Sequence, residues 1–221
     1  GEAFRSRWRV ISSAAADPRN PPIFEGGVEV TGWKLHDEKK NIWVAELPMD
    51  HEPSAIFQDD RKLLPAQWPS QTNAEDPYDL TKMIEISQAG PNPATDILDP
   101  EHLRQPAGTF DGGVVVHFSV ENNGVCFKRI TAHDPEKGLI TAIGIKNAWQ
   151  EKTPFADPSK GGRRDLYAIR GCMFALDAPG EWLAATQAKP YKLYLIPLAG
   201  KDPNQSLVMA TARTHAITSS G

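Results

Sequence analysis

Two carboxylates roughly 5–10 Å apart, one with a raised pKa, can cleave a glycosidic bond. The chain carries 28 acidic residues, too many for spacing alone to single out such a pair. Asp134 and Glu136 flank the turn HDPEKG, where solvated carboxylates are the rule. Glu181, directly before Trp182, is the better candidate for a half-buried acid, and a structural role at the turn DAPG competes with it. A lyase instead needs a base such as His, Lys or Tyr beside a cation that neutralises a uronate. His117 sits between valines and phenylalanine on an alternating stretch, and His133 at the next turn. A hydrogen-bonded structural role is expected of each, and no residue is assigned to catalysis.

Metal and cofactor chemistry find little support. The six histidines show no HxH or HxxxH spacing, so no zinc site is expected. Asp59-Asp60 is too slight a pair of oxygen ligands for a calcium site. No GxSxG, P-loop or dinucleotide fingerprint occurs, and no cofactor is expected. Cys126 and Cys172 can pair, but a β-rich chain of this length needs no staple, and free buried thiols are the expectation. Asn204-Gln205-Ser206 is a formal glycosylation sequon, with meaning only in a eukaryotic secretory setting.

Sugar recognition without catalysis needs exposed aromatic faces and planar polar side chains. Trp33 and Trp43 lie on strand patterns and belong in a core. Trp68, bracketed by Pro65 and Pro69, and Trp149, in a polar excursion, are the aromatic candidates for ligand contact. Tyr78, Arg163 and Arg164 complete the glycan-binding set on the same reasoning.

Composition limits the partners. A net charge of −4 and a pI near 5.9, with scattered basic residues, argue against nucleic acid and against an anionic membrane surface. No apolar run approaches the ~20 residues of a membrane-spanning helix. The 221 residues, 40% of them hydrophobic, suffice for a real core. The 19 prolines stand well above the ~5% average, and with 17 glycines they favour short strands joined by turns. The chain starts with Gly1 rather than Met and shows no leader, so it reads as trimmed.

Phe4–Ser13 is read as one strand, ended by Pro18, Pro21 and Pro22. Gly26-Gly27 is read as a turn before the strand VEVTG, HDEKKN as a polar loop, and IWVAEL as a strand stopped by Pro48. A strand is expected near Ala55–Gln58, a loop over Ser70–Leu80, and a strand at KMIEIS. Asp99-Pro100-Glu101 opens a short helix ended by Pro106. GGVVVHFSV, turned by ENNG into VCFKRITA and by HDPEKG into LITAIG, forms a three-stranded meander. Leu166, Ile169, Met173 and Leu176 have helical spacing. Strands follow at Glu181-Trp182, YKLYLIPL and SLVMATA.

The ordered series GGVEVTGW, IWVAELP, IFQDDRKLLPAQWPS, FDGGVVVHFSV, FALDAPGEW and KLYLIPLAGKDPN resembles the N-terminal portion of right-handed parallel β-helix carbohydrate-active proteins. In these, an antiparallel β domain is inserted after the first solenoid strand. The resemblance covers about Pro22 to Asn204; Leu183 stands where a Tyr often follows the Trp, and the solenoid coils themselves do not follow. It implies a glycoside hydrolase or polysaccharide lyase as parent, with the catalytic acids or bases on the solenoid. The expected fold is mainly β: an antiparallel sandwich or distorted barrel with short helices near 99–105 and 165–176. Residues 1–32 and 206–221 would flank a domain at 33–205, lie side by side, and contribute to the first edge of a β-helix. The implied function is an accessory, non-catalytic module that binds or positions a polysaccharide or oligosaccharide, secreted or at the cell surface or periplasm, and monomeric. Alternatives are a catalytic hydrolase or lyase fragment and a spacer that caps the solenoid's edge strand.

Overall fold

The computed structural model describes residues 26–59, 61–72, 79–120, 123–145, 153–156 and 164–212. The strand expected at Phe4–Ser13 lies outside them. The first strands are β1 (Gly27–Glu29), β2 (Lys34–Asp37), β3 (Ile42–Glu46), β4 (Ile56–Gln58), β5 (Arg61–Lys62), β6 (Leu64–Pro65) and β7 (Gln67–Trp68). Then come β8 (Ile84–Glu85), β9 (Gln88–Ala89), β10 (Asp96–Leu98), β11 (Val114–Ser119), β12 (Gly124–Asp134) and β13 (Leu139–Gly144). The last are β14 (Leu166–Arg170), β15 (Glu181–Ala185), β16 (Lys192–Leu195) and β17 (Val208–Thr211). The described residues are mainly β, almost wholly antiparallel, in agreement with a sandwich.

The meander is the spine of the largest sheet, whose order is β7-β14-β11-β12-β13-β10-β9, with β8 also pairing β14. Val116 stands opposite Phe127 and Arg129 opposite Ile143, so the three strands lie side by side in chain order as expected. Val115, His117, Cys126, Lys128, Ile140 and Ala142 face inward and are fully buried. A second sheet runs β2-β3-β16-β15-β6 and a third β1-β17-β4-β5.

The second sheet explains why EWLAA does not alternate. Leu183 and Ile196 share a core with Ile97, Tyr167 and Ile169 of the large sheet. Trp182, Leu193 and Leu195 share the other core with Ile56, Val208 and Ala210 of the third sheet. A strand with apolar neighbours on both faces gains from burial on both, so its pattern becomes continuous. Trp33 is buried in the second core, with its indole N–H donated to Val30 O at 2.9 Å, and Trp43 is packed, half-buried, against the same cluster.

Several local expectations are corrected. Gly27 is not in a turn but opens β1 opposite Thr211, and a Cβ there would come within 3.0 Å of Ala210 O. His36 and Asp37 belong to β2, and the turn into β3 is confined to residues 38–41, with Asn41 at φ +53. The helix expected near 99–105 is one turn. Asp99 caps it as its position suggested, but a segment ended by Pro106 is too short to propagate. The helix expected near 165–176 is largely β14 followed by a 3-10 turn at Met173–Ala175. LYAIR pairs with β11 along one edge and with β7 and β8 along the other, and these ladders outweigh a coincidental apolar spacing. Gly171, at φ +76, ends that strand.

Segments 26–32 and 206–212 lie side by side as expected: Val28 stands opposite Ala210 in an antiparallel pair, and Ala212 N donates to Gly26 O at 3.1 Å. Cys126 and Cys172 are free and buried.

Candidate functional site

Asp99 follows β10 and begins the one-turn segment DPEH, and its carboxylate gathers donors from three directions. Oδ1 accepts the backbone N–H groups of Glu101 and His102, each at 3.2 Å. His102 Nδ1 lies 3.0 Å from Oδ2 and 3.1 Å from Oδ1. The Tyr167 hydroxyl, from β14, donates to Oδ2 at 2.8 Å. Burial, the Asp99 charge and this hydrogen bond together push the Tyr167 phenol far above its ordinary range, so it stays a donor. Because a carboxylate can only accept, Nδ1 of His102 is the nitrogen that carries a proton toward Asp99, and Nε2 is the acceptor of the neutral ring.

That imidazole lines a cleft of about 290 Å³ with Ile84, Glu85, Ser87, Asp99, Glu101 and Arg164. The side chain of His102 is 39% exposed and that of Asp99 3%, so the carboxylate supports the ring from behind. β8 supplies Glu85, which is opposite Leu166 of β14, and this register brings Arg164 alongside. Arg164 Nη1 meets Glu85 Oε2 at 2.6 Å. Among the described residues no cation pairs with Glu101.

Of the glycan-binding set, Arg164 reaches this cleft. Trp68 does not: it is half-buried on β7, edge-on to Phe174 at 5.3 Å and tilted on Phe110 at 6.3 Å. Tyr78, Trp149 and Arg163 lie outside the described residues. Sequence reasoning noticed Asp99 as a cap and passed over His102. The signal was present as a cap residue followed three positions on by a His, but Tyr167 is 68 residues away and leaves no local trace.

The other candidates serve the fold. Glu181 is 1% exposed, and its Oε2 accepts the N–H groups of Asp177 and Ala178 at 3.0 Å each. Burial pushes it up to about 7 against those donors, but no ligand can reach it. His117 is fully buried and its Nε2 lies 2.7 Å from Asp165 Oδ2. Burial pulls His117 below its ordinary value, leaving a neutral ring that donates to the Asp165 carboxylate. His133 Nε2 donates to Leu103 O at 3.0 Å. Asp134 caps its turn through the N–H groups of Glu136 and Lys137. Asp59 Oδ1 accepts Leu207 N, and no group of three or more metal-ligating side chains occurs among the described residues.

In the cleft Glu85 is held by Arg164 and Asp99 by its donors, which leaves Glu101 alone.

No family model matches the chain, and no curated protein matches it. A solved structure titled "Glycoside hydrolase" shares the fold, with a TM-score of 0.59 at 19% identity over 85% of this chain. The chain spans 31% of that protein's length.

Proposed function

We propose that the chain is an accessory, non-catalytic module of a polysaccharide-processing protein that binds or positions a glycan. The cleft carries this reading: a carboxylate, an imidazole, a serine hydroxyl and a guanidinium converge there beside the apolar Ile84. Sugars offer hydroxyls that both donate and accept, together with apolar C–H faces, and this lining answers both. The likeness to one third of a glycoside hydrolase supports a carbohydrate setting. The adjacency of Gly26 and Ala212 supports a body inserted between two neighbouring stretches of a longer architecture, with a parallel β-helix as the proposed neighbour. The same reading places the module outside the cytoplasm, as a monomer. Arg164 is its cleft contact; Trp68, Tyr78, Trp149 and Arg163 remain its further sequence-based candidates.

Affinity electrophoresis of the purified chain through gels containing neutral or acidic polysaccharides tests it. Retardation without release of reducing ends is expected. Unretarded migration through every polysaccharide would leave the spacer reading, and turnover abolished by substitution of one acid would replace it with catalysis.

A further inference from the structure

We infer that the cleft selects uncharged glycan over uronate, with His102 and Glu101 as the specificity-determining side chains. This rests on the accessory glycan-binding reading and names the ligand class of the same site.

The charge balance of the lining is the first ground. Three carboxylates, Glu85, Asp99 and Glu101, face one guanidinium, Arg164, and that guanidinium is already engaged by Glu85 at 2.6 Å. A uronate carboxylate entering here would have to share that one guanidinium with Glu85 while lying near Glu101. The side chains of Arg164 and Glu85 are 66% and 55% exposed and Glu101 is exposed, so water and salt screen the repulsion between like charges and it acts chiefly at low ionic strength. An uncharged pyranose meets no such penalty.

The second ground is the orientation of His102. Asp99 accepts from Nδ1 and is itself fixed by Tyr167 and by two backbone N–H groups, so the ring is held in one tautomer. Its Nε2 then presents an acceptor where a sugar hydroxyl can donate. A uronate carboxylate has no proton to offer that lone pair at neutral pH. The ring hydroxyls of both sugars can use that acceptor, so a neutral imidazole discriminates, in the same direction as the excess of carboxylates, at C6, where one sugar has a primary hydroxyl and the other a carboxylate. Ser87 can donate or accept toward a neighbouring hydroxyl, and Ile84 supplies an apolar wall.

The test is NMR titration of the full chain with a neutral β-1,4-linked hexasaccharide and with an oligogalacturonate of the same length, at pH 7 and low salt. The neutral sugar is expected to shift the amides of residues 84–87 and 99–102, and the uronate to bind about tenfold or more weakly. Glu101→Gln should narrow that gap by improving the uronate, an effect that no structural role of Glu101 would produce. His102→Ala should weaken the neutral sugar about tenfold with the fold retained, and His102→Gln, which keeps an acceptor, should restore part of it. Uronate binding as tight as the neutral sugar, or shifts confined to another surface, overturns the inference. If glycan retardation persists while these variants change nothing, this inference falls and the accessory reading stands. If no glycan of either class binds, both fall.

Discussion

The hydroxyl of Tyr167 donates to Asp99 Oδ2 at 2.8 Å, joining the centre of the largest sheet to the floor of the cleft. Tyr167 is fully buried and Asp99 is 2% exposed, so neither group has water to fall back on. Tyr167→Phe should lower the unfolding free energy by about 1–3 kcal/mol, the cost of depriving a buried acceptor of its donor. Urea titration followed by circular dichroism measures it, and an unchanged midpoint would show that the bond contributes nothing.

Glu181 gives the fold a pH dependence of definite sign. Its pKa rises from an ordinary 4.5 to about 7 in the folded chain, chiefly through burial. Between those values the folded state holds a proton that the unfolded state has lost, so this group makes stability fall as pH rises through the window and level off above it. The full effect is on the order of 3 kcal/mol. Glu181→Gln should therefore be more stable relative to wild type at pH 8 than at pH 4, as read from paired thermal melts. A difference that does not vary with pH would contradict the assignment.

Lys128 is fully buried on β12, and its Nζ donates to the carbonyls of Ala94 and Thr153 at 2.7 Å each while lying 4.6 Å from the Phe155 ring centroid. Burial lowers its pKa, but those two acceptors still require the amine. Lys128→Met conserves most of the volume and strands both carbonyls, and should cost about 2–4 kcal/mol in a denaturant titration.

Gly138 backs the Asp99 turn, since its carbonyl accepts Asp99 N at 2.8 Å. It has φ +67, and a Cβ there would sit 2.6 Å from Pro100 Cα and 2.8 Å from Asp99 O. Gly138→Ala should destabilise by about 1–3 kcal/mol and weaken glycan binding by displacing the Asp99 support of His102. Parallel melting and gel-retardation measurements would reveal whether both effects occur.

Trp68 is half-buried and packs edge-on to Phe174 and tilted on Phe110. Trp68→Ala should reduce stability by about 2–4 kcal/mol. Loss of gel retardation in a variant with wild-type stability would instead assign it to the ligand.

Strand identity was legible wherever one face of a strand is core and its neighbours are close in sequence. GGVVVHFSV, VCFKRITA and LITAIG alternate in that way and lie edge to edge. LYAIR was misread because β14 is flanked by β11 on one side and by β7 and β8 on the other. Its Tyr167 and Ala168 are both fully buried on opposite faces, and a strand buried on both faces has no period to detect. The DPEHL turn was read as a helix because its cap was visible, but a segment ended by Pro106 is too short to propagate beyond one turn.

By itself the sequence determined the β class, the HDPEKG turn and many strand positions, because alternation, positive-φ residues and proline placement act over a few neighbouring residues. Only the tertiary structure decided which strands meet and what chemistry they assemble. Glu85 reaches Arg164 across 79 residues and Asp99 reaches Tyr167 across 68, and both contacts depend on the pairing of β14 with its neighbours. Local propensity carries no information on that register, which the burial of whole sheet faces selects.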